Sequence, residues 1–242
     1  MARLDTGSPL PKYHQLKEII RAMIEKEELR EGEPIPPERK FCEEYGVSRM
    51  TTRQAIMELV NEGVLYREQG KGTFVAATKV QQEAERLASF TEDMSRRGMD
   101  TTSTVLEAGL TEADPVVGRL LGVEEDEEVV RIQRVRNADG SPMALETSHL
   151  LREAADELLT LDLSNRSIYT ELRARAVRIE WAQQSYEATV INEFEAEHLG
   201  VPTGSPALLL ERVTYDDTNR AFEYVKSTYR GDRYRITTVL HL

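Results

Sequence analysis

Few residues of this 242-residue chain have the type and spacing to do chemistry, and those that do are suited to gripping anions. Lys71 stands between Gly70 and Gly72. Glycines let a backbone come close to a groove or a phosphate, and the lysine adds positive charge there. Arg134 and Arg136 lie two apart in a strand pattern and so share one face. Two forked guanidiniums on one face either hold an oxyanion or pair with glutamates on a neighbouring strand. Glu146 and Glu223 are candidates for that pairing.

Catalytic constellations are not found. There is no phosphate loop, no nucleophile elbow and no zinc-protease signature, so neither a catalytic residue nor a cofactor is expected. Cys42 is the one cysteine, which rules out an internal disulfide and a cysteine-based metal site and predicts a core thiol. His14, His149, His198 and His241 are scattered without metal-ligand spacing. Gly200 and Gly204 flank a turn, and Asp216-Asp217 reads as a hairpin tip. No apolar run approaches the roughly 18 residues of a membrane span, and residues 1–11 lack a secretory pattern. A cytoplasmic protein with no membrane partner is the expectation.

The formal net charge of −12 argues against nucleic acid until its distribution is read. Residues 1–78 carry 12 Lys/Arg against 13 Asp/Glu, whereas residues 79–242 carry 19 against 30. A near-neutral first third can present a local basic face to DNA, and an acidic remainder resists indiscriminate sticking.

The elements that must position these residues begin with a helix over Tyr13–Glu27, where Leu16, Ile19, Ile20, Met23 and Ile24 recur at helical spacing. Prolines and a glycine then make a loop. Pro37 opens a second helix that ends at Gly46, and Ser48 is a plausible N-cap for a third, Arg49–Asn61, with Ala55, Ile56, Leu59 and Val60 inward. Two short helices joined this way are helix-turn-helix geometry. Two strands flanking the Gly70-Lys71-Gly72 turn then form a hairpin, which directly after the third helix is a wing.

Beyond a small, polar stretch the spacing predicts a helix near Ser89–Arg97. Strands are predicted over Val129–Arg136, Met143–Leu151, Val177–Ile191, Leu208–Tyr215, Ala221–Arg230 and Tyr234–Leu240. Short helices fit Asp114–Leu121, Arg152–Leu158, Ser167–Arg175 and Asn192–Leu199. Hairpin-joined strands with interspersed helices predict an α+β fold with a largely antiparallel sheet. The domain expectation is 1–76 as the winged helix-turn-helix unit, 77–88 as linker and 89–242 as the larger unit; the resemblances that follow assign DNA binding to the first and effector binding and dimerisation to the last.

The runs Pro-Pro-Glu-Arg-Lys-Phe from Pro36, Gly-Val-Ser-Arg-Met-Thr-Thr-Arg-Gln-Ala-Ile from Gly46, and Leu-Val-Asn-Glu-Gly-Val-Leu-Tyr-Arg-Glu-Gln-Gly-Lys-Gly-Thr-Phe-Val from Leu59 resemble the DNA-binding domain of the GntR family. The resemblance implies that Arg39, Ser48, Arg49 and Arg53 reach DNA, with the wing glycines Gly70 and Gly72 in the minor groove and Lys71 adding charge at the tip between them. Arg49 and Arg53 are then the base-reading candidates, since arginine can fork onto guanine. Ser48 and Thr51 hold phosphate or assist base reading.

The later motifs Ser89-Phe-Thr-Glu-Asp-Met, Arg134-Val-Arg-Asn-Ala-Asp-Gly-Ser-Pro-Met-Ala-Leu-Glu, Ser167-Ile-Tyr-Thr-Glu-Leu, and Phe222-Glu-Tyr through Tyr229-Arg-Gly-Asp-Arg-Tyr resemble the UTRA effector domain of HutC-type GntR regulators. That resemblance implies a chorismate-lyase-like fold used as a sensor. Within the subfamily the sequence is most similar to the amino-sugar regulators. This implies that Phe90, Thr91, Arg134, Arg136, Ser167 and Tyr169 surround a phosphate, with Glu146, Glu223 and Tyr229 facing a sugar. Thr91 stands where such regulators often carry serine and preserves the hydroxyl. The implied protein is a homodimeric repressor on a palindromic double-stranded operator, responsive to N-acetylglucosamine-6-phosphate or glucosamine-6-phosphate. Other readings stay open. The same parts make an activator or dual regulator, another organic anion would use the same arginines, an amine would lean on Glu146 and Glu223, and an enzyme acting on a small organic acid would need an acid–base pair that the sequence does not assign.

Overall fold

The computed structural model describes residue 4 and residues 10–68, 70–76, 80–83 and 86–238. The chain divides into two compact units, Met1–Lys79 and Val80–Leu242.

The first unit holds helices α1 (Lys12–Glu25), α2 (Glu38–Tyr45) and α3 (Arg49–Asn61), followed by strands β1 (Leu65–Glu68) and β2 (Gly72–Val75). Each helix has an inward apolar stripe, and the stripes meet in a core of Leu16, Ile20, Phe41, Val47, Ala55, Ile56 and Leu59, closed by Leu65 and Val75 of the hairpin. Burying each large aliphatic contributes about 1.5–3 kcal/mol. The helix starts are set by chemistry visible in the sequence. Ser48 caps α3, its Oγ accepting from Thr51 N at 3.1 Å, a bond worth about 1 kcal/mol. Lys17 of α1 pairs with Glu58 and Glu62 at the end of α3 and ties the first and third helices together. Cys42 is half-buried beside Thr52, its Sγ 3.4 Å from Oγ1.

The second unit is built on a six-stranded antiparallel sheet. Its strands are β4 (Thr101–Glu112), β5 (Glu128–Ala138), β6 (Ser141–Leu151), β7 (Ile179–Val190), β8 (Pro206–Asp216) and β9 (Ala221–Arg230), in the spatial order β4-β5-β6-β9-β8-β7. A separate parallel pair joins β10 (Tyr234–Thr237) to β3 (Val80–Glu83). The helices are α4 (Phe90–Arg96), α5 (Pro115–Leu121), α6 (Arg152–Ala155), α7 (Ile168–Ala174) and α8 (Glu193–Leu199), and a 3-10 turn follows α6 over Asp156–Thr160. Four of these helices start on side-chain caps: Ser89, Asp114, Ser167 and Asn192. Central strand β9 is buried on both faces, with Phe222 and Tyr224 on one side and Glu223, Val225, Ser227 and Tyr229 on the other.

Three differences from the sequence expectation stand out. Strand β4 was not anticipated: it is a sheet edge, its pairing with β5 shifts between Val105 and Glu107, and its faces are too exposed for a period-two pattern. Within the stretch expected as linker, 77–88, residues 80–83 form β3 and pair with β10, while 77–79 and 84–85 lie outside the described residues. The helix expected over Arg152–Leu158 is α6 continued by the 3-10 turn. Gln69 at the wing tip, His241, and the end of the strand expected to run to Leu240 also lie outside the described residues.

Candidate DNA-reading helix and effector cavity

On the first unit, Ser48 places the start of α3 so that Arg49 and Arg53, one helical turn apart, are both exposed on its outer face. Met50 and Met57 are exposed on the same helix. The arginines are only loosely held. Arg53 Nε lies 3.7 Å from Glu38, and Arg39 of α2 pairs with Glu43 one turn on. Thr51 is half-buried and its hydroxyl lies 2.8 Å from Ser48 Oγ, so these two hydroxyls also serve the cap. On the wing, Gly70 and Gly72 have φ of 77° and 132°, a region that side chains with a Cβ rarely adopt. The turn they make carries Lys71 at the surface, paired with Glu68 at 2.9 Å. The arrangement presents cationic and hydroxyl donors on one helix and one hairpin, with ion pairs weak enough to be exchanged for phosphates.

On the second unit, one face of the sheet forms the floor of a cavity. Arg134 and Arg136 come from β5, Glu146 and Ser148 from β6, Glu223, Val225, Ser227 and Tyr229 from β9, and Leu210 and Arg212 from β8. Ser89 and Phe90 at the start of α4, with Ile168 and Tyr169 of α7, complete its wall. Period-two alternation makes each strand contribute every second residue. The clear interior is about 30 Å3, room for roughly two waters. Pockets that enclose organic ligands run to about 300 Å3 or more, so such an occupant requires side chains to move.

The floor is strongly charged. Arg134 Nη2 donates to Glu146 Oε1 at 2.6 Å, and Arg136 Nη1 donates to the same oxygen at 2.8 Å. Arg136 Nη2 also donates to Thr91 Oγ1 at 2.8 Å, and its guanidinium lies over the Phe90 ring, 4.7 Å from the centroid. Burial opposes the charge on Glu146, but the two guanidiniums outweigh it and hold the carboxyl at about 2. Burial and the neighbouring Arg136 charge lower Arg134 to about 10, so it remains a cation at neutral pH. The Nε atoms of both arginines, and Ser227 Oγ, are buried with no hydrogen-bond partner among the described residues. An unpaired buried donor costs about 1–3 kcal/mol, which makes this a site with unmet demand for acceptors.

At the other end of the cavity, Glu223 Oε2 accepts from Tyr169 Oη at 2.9 Å and from Thr214 Oγ1 at 3.0 Å. Burial raises its carboxyl, and nearby Arg212 only partly offsets that. Arg212 is fixed by Gln184 Oε1 at 2.6 Å and by the Ala88 carbonyl at 3.1 Å. Tyr229 belongs instead to the arginine end, in register with Arg136 through Ala144, and stacks on Tyr234 with centroids 4.1 Å apart.

Of the nine effector residues expected, seven line the cavity: Phe90, Arg134, Arg136, Glu146, Tyr169, Glu223 and Tyr229. Thr91 stands behind Arg136 and holds it, and Ser167 caps α7 while donating to Ser89 Oγ at 3.2 Å. The alternative of arginine–glutamate pairing describes Glu146 but not Glu223, which bonds hydroxyls instead. Sequence reasoning missed Arg212, Ser148 and Ser227. Counting by twos from Glu223 to Tyr229 would have found Ser227, and the same step from Glu146 would have found Ser148.

Residues 12–75 match the bacterial regulatory proteins of the gntR family, and residues 96–235 match the UTRA domain. The chain belongs to the GntR family and carries a UTRA domain. It is 42% identical over 232 residues to the HTH-type transcriptional repressor NagR of Bacillus subtilis, covering 96% of this chain and 95% of that one. It is 32% identical over 226 residues to the repressor PhnF of Mycolicibacterium smegmatis, covering 93% and 92%. The crystal structure of PhnF from Mycobacterium smegmatis aligns with a TM-score of 0.67 at 31% identity, over 96% of this chain and 99% of that one. The protein is therefore a DNA-binding transcriptional regulator of the GntR/UTRA type and not an enzyme. Among the described residues no helix is long and apolar enough to cross a membrane, and no group of three His, Cys, Asp or Glu side chains is placed to hold a metal ion.

Proposed function

We propose that this regulator is a repressor whose UTRA domain binds a phosphorylated sugar, with N-acetylglucosamine-6-phosphate or glucosamine-6-phosphate as the effector. The observation that carries the reading is the convergence of the two buried guanidiniums of Arg134 and Arg136 on one cavity wall, each with an unused Nε–H. A phosphate offers several acceptor oxygens where a single carboxylate oxygen now serves both groups. Glu223 and Tyr169 lie at the other end of the cavity, where a carboxylate can accept from sugar hydroxyls, and Tyr229 stands in the Arg136 row near Phe90, where a ring can pack on a sugar face. The relatives named above are repressors, and another, at 30% identity over 231 residues, is the mannosyl-D-glycerate transport/metabolism system repressor MngR of Escherichia coli.

In this reading a cytoplasmic homodimer sets two winged domains on a palindromic operator, with Arg49 and Arg53 reading bases. Arg39, Ser48, Thr51 and the Gly70-Lys71-Gly72 wing tip hold backbone or assist. The effector acts by binding one arrangement of the dimer better than another. Calorimetry with the two sugar phosphates and unphosphorylated N-acetylglucosamine tests the effector assignment. Saturable binding that requires the phosphate, and that is lost in Arg134→Ala and Arg136→Ala, is the expected result. Silence for both phosphates at millimolar concentration overturns it.

A further inference from the structure

The floor of the cavity contains a row in strict register across four strands: Arg134 pairs with Glu146, Glu146 with Ser227, and Ser227 with Leu210. Directly opposed residues on one sheet face sit about 5 Å apart at Cβ. Glu146 therefore has two cations on one flank and a lone hydroxyl on the other. The cation flank is engaged, through a single carboxylate oxygen. The hydroxyl flank is idle: Ser227 is 1% exposed and its Oγ has no partner among the described residues. The position of that hydroxyl beside a carboxylate that can swing points to a second state in which the bond is made.

We propose that Glu146 is a built-in competitor for the effector's anion. Its carboxylate holds Arg134 and Arg136 in the effector-free chain, an incoming anion takes the guanidiniums over, and Ser227 Oγ–H receives the displaced carboxylate. This deepens the effector reading and rests on it. It makes Glu146 a specificity-determining residue. A monoanion offers the arginines no more charge than Glu146 already supplies and does not displace it. A dianionic phosphate brings twice the charge and more acceptor oxygens. A neutral sugar lacks the means to open the row.

The test is calorimetry on the full chain with inorganic phosphate and acetate as probes, repeated with N-acetylglucosamine-6-phosphate. The variants are Glu146→Gln and Ser227→Ala, with thermal melts to verify folding. Wild type should bind phosphate and discriminate against acetate. Glu146→Gln should bind phosphate about tenfold tighter and lose much of that discrimination, because the competing charge is gone. Ser227→Ala should bind phosphate about tenfold more weakly, the worth of one hydrogen bond to a charged group. Should Glu146→Gln fail to fold, Ser227→Ala decides: a folded variant with wild-type phosphate affinity overturns the proposal. Equal or weaker phosphate binding by folded Glu146→Gln also overturns it, as does an absence of phosphate binding to all three proteins. If inorganic phosphate behaves as expected while the sugar phosphate binds none of them, the competitor stands and the sugar assignment falls. If the sugar phosphate binds wild type and Glu146→Gln alike, the sugar assignment stands and the competitor falls.

Discussion

The two units handle arginine in opposite ways. On the winged unit the Arg39 and Arg53 side chains are 77% and 60% exposed, and each pairs with one glutamate across solvent. In the sheet unit Arg134 and Arg136 are 2% and 3% exposed and share one carboxylate oxygen. A long polyanion is met by solvated charges that release counterions on contact and carry little stability of their own. A small anion has to be met by desolvated, pre-positioned charges, and those must be neutralised by the protein until the ligand arrives. The contrast explains how a chain of net charge −12 can serve DNA and the anionic effector proposed above.

The comparison breaks first if the buried row is not structural. Arg134→Ala leaves Glu146 buried with one of its two cations removed. It should destabilise the sheet unit by about 3 kcal/mol, seen as a lowered thermal midpoint, whereas Arg53→Ala should move stability by no more than about 0.5 kcal/mol. Equal effects would erase the distinction.

Acid sharpens it. Glu146 is depressed to about 2 in the folded chain, below its ordinary value near 4.5, so its contribution is present above pH 4.5 and is lost as pH falls toward 2. That contribution is on the order of 3 kcal/mol. Glu223, raised by burial, has the opposite sign: its share is present below its ordinary value and is lost as pH rises through the folded one. Acid unfolding followed by circular dichroism should therefore be markedly shallower in Glu146→Gln than in wild type, and indistinguishable slopes would contradict the assignment.

On the DNA side, Arg49→Ala and Arg53→Ala should each weaken operator binding by about tenfold to a hundredfold and relax base preference at one position, measured by fluorescence anisotropy. The smallest effect belongs to Lys71→Ala. It should weaken all sequences alike and lower the slope of log affinity against log salt by about one. A sequence-dependent loss at Lys71 would make the wing a base reader.

How much of this was legible in the sequence follows the same division. The winged unit is governed by local signals, a serine cap, a glycine stop and a Gly-Lys-Gly turn, and α3 begins and ends at the residues the spacing predicts. The sheet unit depends on non-local pairing. Its central hairpin, β8 and β9, was readable because apolar runs flank a turn at Asp216, whose carboxylate accepts from Thr218 and Arg220. Edge strand β4 was not, because an exposed edge with a bulge has no burial period to read. Strand β3 pairs in parallel with residues some 150 positions later, and no local pattern announces such a partner. The effector residues came from motif resemblance. The strand pattern offered both Glu146 and Glu223 as partners for the arginines, and register across β5 and β6 selects Glu146.

The most direct test of the account is whether the cavity governs the helix. A labelled duplex selected by the protein from a random pool would be titrated with the purified regulator, with and without saturating N-acetylglucosamine-6-phosphate, in wild type and in Arg136→Ala. The account predicts a 5- to 150-fold change in wild-type operator affinity, the usual range of allosteric coupling. It also predicts no change with the unphosphorylated sugar and none in Arg136→Ala. An operator affinity indifferent to the phosphorylated sugar in wild type would contradict it.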